Sequence, residues 1–424
     1  MTIRSNPVLK PLVFFLMSFL IFSCNHSDEL KAKKLKNAEK FFGYQDQTSQ
    51  VKNLVVNKKH PHVVDLITYQ KDSINISTLV DSISYTPLET NDNCLIGDID
   101  KMFYDGRRII ILDKRKAQSV FIFEKTGKFH AKINFLGKGP GKYAGIEDVA
   151  VDYRTGNIIL LDLSDNKIIT YDQDSHFLSE KPVGFYVYEL ALFPKSSDIL
   201  LASHSEFNAH FNSVYLYNLL LTDSLVKPYA RAFKFNEESG LNFHWWNPIN
   251  IHSDGSALFY YPRFTDTIYR IEKNSATAEY KIDYGKSSLP PDFFESQTDN
   301  RFEQLQGSGR FSFFMGDFVA SPDFFFCIAS IKGLDTYGFY CIKSGKTKSS
   351  TVISLDRPDV PFFNVPKCNY KNEFVSAVSV KGAATEMIST IHDIGKKDKK
   401  ILGRFSHLRE NDNPILLFYT LKNF

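Results

Sequence analysis

Buried apolar runs interrupted by single turn signals dominate the chain. Tyr104-Asp-Gly-Arg-Arg-Ile-Ile-Ile-Leu-Asp113 lies over Tyr153-Arg-Thr-Gly-Asn-Ile-Ile-Leu-Leu-Asp162 at an offset of 49 residues. The match continues with Val120-Phe-Ile-Phe123 over Ile168-Ile-Thr-Tyr171, and, after one gap, Phe129 over Phe177. Each unit reads as strand, Gly-containing turn, apolar strand, polar loop, alternating strand, turn, strand. That is a four-stranded antiparallel meander, and a fixed period of this length marks a repeat architecture. Weaker copies follow. One runs from Tyr188 through Ile199–Ala202 and Ser213–Tyr217. Another runs Asn250–Gly255, Ala257–Tyr261 and Asp266–Ile271. A further copy runs Phe318–Asp323, Phe324–Ile328 and Tyr337–Ile342.

A lone meander leaves two edges and a greasy face open, which invites aggregation. Packing meanders face to face around an axis buries the faces and shortens the edges. Roughly 365 residues, in units of about 45 to 60, accommodate six such blades. The expected fold is therefore all-β, a six-bladed β-propeller of four-stranded antiparallel blades. Strands at Val63–Tyr69 and Ile83–Leu88 near one end, and Asn413–Lys422 at the other, predict a last blade closed by N- and C-terminal strands. Pro290–Gln306 has near-helical apolar spacing after a proline start. Thr385–Arg404 is a polar insertion. Both are expected to decorate loops.

Composition sharpens this picture. Aromatic residues make up 14% of the chain, with 38 Phe and 21 Tyr, and such residues suit a pleated, half-buried surface. The formal net charge is +3, so no global basic field points to nucleic acid. The basic run Lys31–Lys40 reads as a solvated tether, with contact to anionic lipid headgroups as the sharper alternative.

The first residues carry Arg4 and Lys10, then Pro11–Phe22 without charge, as a secretory signal does. The apolar stretch, about a dozen residues, is shorter than the roughly 20 needed to span a bilayer. Ile21-Phe22-Ser23-Cys24 resembles the lipobox of bacterial lipoproteins, although Phe22 departs from the usual small or branched residue. The resemblance implies that Cys24 is lipidated and becomes the mature N-terminus. The organisation that follows is a lipoprotein signal peptide at 1–23, a tether at 24–59 and the propeller at 60–424. Four further cysteines remain: Cys94, Cys327, Cys341 and Cys368. Cys327 and Cys341 flank a hairpin, and their pairing is left open. No CxxC or CxxH spacing suggests zinc.

Gly137-Lys-Gly-Pro-Gly-Lys-Tyr143 followed by Ile146–Asp152 resembles the start of a blade in the six-bladed β-propeller lipoproteins of Bacteroidetes. Asp266–Arg270 with Tyr280–Gly285, and the closing Glu410–Pro414, resemble the same family. Lys142 stands where that family usually has Glu. More distantly the chain is similar to NHL-like propellers, some of which are lyases or lactonases. The likeness implies fold and a cell-envelope compartment. Asp28-Glu29, soon after Cys24, resembles the surface-export signal of Bacteroidetes lipoproteins, so the outer membrane is expected, facing periplasm or surface. The family likeness supplies little biochemistry, because function sits in a site grafted on the fold.

In this topology the loops between second and third strands share a rim with the links between blades. The repeat places His204, Glu206 and His210 there, with His244, Trp245, Trp246, Arg263, Arg115, Lys138, Lys142 and Tyr143. Histidine is both a metal ligand and a general base, so His204, Glu206, His210 and His244 are candidate catalytic residues or ligands of a divalent metal. No other cofactor is expected. Trp245, Trp246, Arg263 and Tyr143 are candidate binding residues for a glycan or a protein partner. The structural alternative packs the tryptophans between blades. There is no HExxH and no GxSxG. Gly137–Gly141 is expected to be a turn, because a strand and not a helix follows. His252 is assigned to a turn on the opposite rim. The triads at Asp72, Asp81, Asp223 and Asp266 resemble an O-glycosylation signal, and turn chemistry explains them as well. The favoured function is a membrane-anchored binding module for a glycan, peptide or envelope protein. A lyase- or lactonase-type enzyme and a structural subunit of an envelope complex are the alternatives.

Overall fold

The computed structural model describes residues 50–68, 73–202, 208–211, 213–234, 250–263, 265–290, 309–383 and 405–424, with residues 36, 40, 293 and 305. The signal, Cys24, most of the tether, most of Pro290–Gln306 and all of Thr385–Arg404 lie outside these residues.

Six small sheets form six blades around a central axis. Blade 1 comprises Lys101–Tyr104, Arg108–Asp113, Ser119–Glu124 and Phe129–Ile133. Blade 2 repeats it with Asp148–Val151, Ile158–Asp162, Lys167–Tyr171 and Phe177–Pro182. Blades 3, 4 and 5 have inner strands Glu189–Leu192, Ile251–Ser253 and Phe313–Ala320. Blade 6 orders Cys368–Tyr370, Glu373–Val378 and Ile415–Leu421 against Val80–Pro87, so an N-terminal strand supplies its outer edge. The expected closure by both chain ends is present.

Why the second strands read as unbroken apolar runs follows from the packing. Successive side chains of a strand face opposite ways, and here both faces meet a neighbouring blade. Ile109 and Ile111 pack toward blade 6 with Val375 and Phe418. Ile110 and Leu112 pack toward blade 2 with Val149 and Leu160. The same division recurs at each junction around the ring. Each fully buried Ile or Leu contributes about 1.5–3 kcal/mol, so the core is distributed over the junctions and has no single centre.

Cys327 belongs to the junction of blades 4 and 5, Cys341 to that of blades 5 and 6. Cys327 stands opposite Gly338, three residues before Cys341. An odd offset puts the two thiols on opposite faces of the sheet. Cys94, Cys327, Cys341 and Cys368 are all free and buried.

Two expectations need correction. The third strand of blade 3 is Tyr217–Thr222, not Ser213–Tyr217. Leu219–Thr222 pairs with Ile199–Ala202, and the stretch from Ser213 is a turn that carries Leu216 at φ 63°. The buried Leu-rich run outweighs the alternating Val-Tyr-Leu-Tyr. The second correction concerns the N-terminal strand around Val63. His62–Asp65 does not enter blade 6; it lies parallel to the outer strand of blade 4.

His62–Asp65 is part of a longer belt. Lys52–Asn53 pairs in parallel with the outer strand of blade 3, and Val55–Asn57 with that of blade 4. Ile74–Asn75 pairs with Ile353–Ser354 beyond blade 5, and the one-turn helix Ile76–Leu79 leads into blade 6. Residues 52–57, within the stretch read as tether, are thus docked on the ring. Leu54 buries into the junction of blades 3 and 4, Val64 and Leu66 into that of blades 4 and 5. Among the described residues, no helix is long and apolar enough to cross a membrane.

Candidate functional site at the mouth of the central channel

Inner strands start at the rim that carries the blade-to-blade links. Asp113 demonstrates that links and second-to-third-strand loops share this rim. It is fully buried, and its Oδ2 accepts the backbone N–H groups of Gly97 (2.7 Å) and Asp98 (2.9 Å) from the link. Its Oδ1 accepts those of Lys116 and Ala117 (both 2.9 Å) from the loop. Asp162, its repeat partner, does the same with Ala144 (2.7 Å) and Asp165 (3.1 Å). The aspartate that closes the second strand in blades 1 and 2 is therefore a loop clamp.

At this rim the inner strands of blades 1, 2 and 3 begin with Lys101, Asp148 and Glu189. Lys101 Nζ lies 2.9 Å from Asp148 Oδ2 and 3.7 Å from Glu189 Oε1, and the three side chains are 12%, 7% and 6% exposed. Each carboxylate also binds the backbone at the start of the next blade. Asp148 accepts the N–H of Leu190 at 2.9 Å. Glu189 accepts those of Asn250 and Ile251, both at 3.0 Å. A buried charge needs a partner and hydrogen bonds, and this arrangement supplies both. Burial pushes the Glu189 carboxyl up to about 7, with Lys101 opposing and Asp148 adding to the rise. Burial pulls the Lys101 ammonium down, but the two carboxylates outweigh it and hold it above its ordinary value.

Blades 5 and 6 bring Asp317 and Lys367 to the same mouth. Together with Lys101 they line a cavity of about 170 Å³ whose wall includes Met102, Phe326 and Val365. Asp317 and Lys367 are exposed at the opening. The enclosing wall still pushes the Asp317 carboxyl upward by desolvation, with Lys367 acting against the shift and Asp335 adding to it. Among the described residues neither side chain has a hydrogen bond or ion pair.

Of the residues expected on this rim, Arg263 reaches the mouth, its guanidinium 4.9 Å from the centre of the Tyr188 ring. Burial raises the Tyr188 phenol to about 12, and its oxygen accepts Asn250 Nδ2–H at 3.2 Å. Tyr143 is not presented to ligand. It is fully buried and donates its hydroxyl to the carbonyl of Gln118 at 2.8 Å, tying the link to the loop of blade 1. Arg115 is exposed near Asp100, and Lys138 and Lys142 are exposed on the link. His210 is buried, with Nε2 donating to the Gly184 carbonyl at 2.8 Å. His204, Glu206, His244, Trp245 and Trp246 lie outside the described residues. The glycine stretch at 137–141 is a turn before strand Asp148–Val151, with Gly141 at φ 67° and a Cβ there 2.6 Å from the Phe177 ring.

His252 sits on the inner strand of blade 4 and not in the turn beyond it. Its Nε2 lies 3.2 Å from the Ala320 carbonyl and 3.1 Å from Asn369 Oδ1, so it joins blades 4, 5 and 6 across the channel. Asp172, Asp174 and His176 group with metal-ligand proximity on the turn between the third and fourth strands of blade 2. That turn lies at the rim opposite the mouth, and Asp172 there already accepts the N–H groups of Asp174 and His176.

Sequence reading missed the Lys101, Asp148 and Glu189 cluster and the Asp317 and Lys367 pair. One available signal was a charged residue opening an otherwise apolar inner strand in successive copies of the repeat.

Comparison with known proteins places the fold. A protein from Bacteroides fragilis NCTC 9343, named as exported, superimposes with a TM-score of 0.67 at 19% identity, over 85% of this chain and 100% of that one. A member of the DUF4221 family from Bacteroides vulgatus ATCC 8482 follows with a TM-score of 0.51 at 10% identity, over 81% of this chain and 97% of that one. No curated protein matches the chain. Residues 61–420 match the family described as domain of unknown function (DUF4934), and the chain belongs to that family.

Proposed function

We propose that this protein is an envelope-anchored binding propeller that takes its ligand at the channel mouth on the link-side rim. The observation that carries the reading is the contrast between two sets of charges. Lys101, Asp148 and Glu189 satisfy one another and the backbone. Asp317 and Lys367, beside the same cavity, have no such partners among the described residues. A concave site with a few convergent polar groups is the ordinary form of a binding pocket. The partner is a glycan, a peptide or another envelope protein; Arg263 extends the surface that meets it, and Trp245 and Trp246, outside the described residues, are candidate binding residues from the sequence alone.

Location follows from the N-terminus. The secretory signal and the lipobox-like Ile21–Cys24 support lipidation at Cys24 and retention at the outer membrane. The naming of the B. fragilis neighbour as exported agrees with a site outside the cytoplasm. Partner capture from solubilised native envelope tests the reading, comparing wild type with Trp245→Ala/Trp246→Ala. The expected result is a defined partner set that shrinks in the variant. An unchanged set removes the tryptophan link from the binding surface, and no partner above a tag-only control ends the binding-module reading.

A further inference from the structure

The chemistry of the cavity narrows what it can hold, and the inference rests on the reading that the mouth is a binding site. Its polar lining divides into groups that are used and groups that are available. Lys101 is held by Asp148 and Glu189. Asp100 accepts the N–H of Lys114 at 2.7 Å and faces Arg115. Asn364 donates to the Ala377 carbonyl and accepts the N–H of Val365. That leaves one carboxylate, Asp317, and one ammonium, Lys367, in a lining that also includes the apolar Met102, Phe326 and Val365. They are near enough for Lys367 to act on the Asp317 carboxyl, yet they do not close into an ion pair.

We propose that this cavity binds a free α-amino acid with a small apolar side chain. Its ammonium meets Asp317, its carboxylate meets Lys367, and its side chain lies on Met102, Phe326 and Val365. Two opposite charges that stay apart beside one hollow are complementary to a zwitterion. A neutral sugar would meet both groups through hydroxyls alone and leave their charges unmatched. A phosphate would satisfy Lys367 and be repelled by Asp317. The hollow, about 170 Å³, has room for a small amino acid. A peptide end offers only one of the two charges at a given site.

Calorimetric titration of the full chain with L-valine, N-acetyl-L-valine and L-valine amide tests this. Valine is expected to bind, and each blocked derivative to bind at least tenfold more weakly. Asp317→Asn and Lys367→Met should each weaken valine at least tenfold while melting within about 2 °C of wild type, as exposed substitutions do. Equal binding of valine and its blocked forms overturns the proposal, as does the absence of valine binding. Substitutions that leave valine binding unchanged overturn it too. The derivatives carry the test without any variant, should one fail to fold. Envelope capture with the wild-type chain separates the two readings. Partners captured by a wild-type chain that does not bind valine leave the binding module standing and remove the amino-acid ligand. Valine binding without any captured partner does the reverse.

Discussion

Replacing Lys101 by Met keeps the length of the side chain and removes the only cation within ion-pair distance of Asp148 and Glu189 among the described residues. Breaking a buried pair by deleting one partner costs about 3–5 kcal/mol, because a charge is left uncompensated. The penalty should depend on pH, and its sign follows from Glu189. Its carboxyl is raised from 4.5 to about 7 in the folded chain. Between those values the folded chain keeps a proton that the unfolded chain releases, so wild-type stability declines as pH rises through that window. Without Lys101 the carboxyl rises further, and the decline continues above 7. At pH 6 both proteins hold the Glu189 proton, and the loss is that of the Asp148 pair, about 3 kcal/mol. By pH 8.5 the variant is lower by a further ~2 kcal/mol, at 1.36 kcal/mol per pH unit. For the matched span of about 360 residues, an unfolding entropy near 2.1 cal/mol/K per residue converts these losses to melting points about 4 and 7 °C below wild type. Calorimetric melting at the two pH values measures the gap. A gap that stays constant with pH, or one under 1 °C at pH 8.5, refutes the reasoning. Lys101→Met/Glu189→Gln should flatten the pH dependence and leave the loss at pH 6.

Asp113→Ala strands four backbone N–H groups and should cost about 3 kcal/mol, against roughly half that for Asp162→Ala, which strands two; urea midpoints with unchanged m-values check the ratio. Burial lowers the pKa of His252, so the stability it supports is present above its unfolded value near 6.5 and lost as pH falls below it. His252→Gln keeps an N–H donor for Ala320 and Asn369, and from pH 6.5 to 5 it should lose up to about 2 kcal/mol less than wild type. Leu66, fully buried at the junction of blades 4 and 5, should cost about 2–5 kcal/mol as Leu66→Ala, with faster proteolysis within residues 50–68.

The blades were legible because their second strands are buried on both faces, and Ile109–Asp113 and Ile158–Asp162 therefore repeat nearly letter for letter. The belt was not. Val55–Asn57 is exposed throughout and pairs through its backbone alone, so no hydrophobic pattern betrays it. His252 was placed one step too far along, because the turn at Asp254–Ser256 begins after it. The charge cluster is built from residues on separate blades that no local window joins. His210 and Tyr143 fell on the expected rim, but His210 Nε2 and the Tyr143 hydroxyl donate to carbonyls of the protein itself. Position on a loop identifies the rim, and packing decides whether a side chain is offered.

The outer strand of blade 6 has a temporal consequence. Val80–Pro87 is synthesised long before Ile415–Leu421, the neighbour to which it bonds. Until that last segment emerges, the early strand has no mate in its own sheet, and the junction between blades 6 and 1 lacks Leu416 and Phe418. Completion of the wheel is thus deferred to Ile415–Leu421, the last strand of the ring to be made, and a nascent chain stalled or cut before Ile415 holds every other blade without the means to seal it.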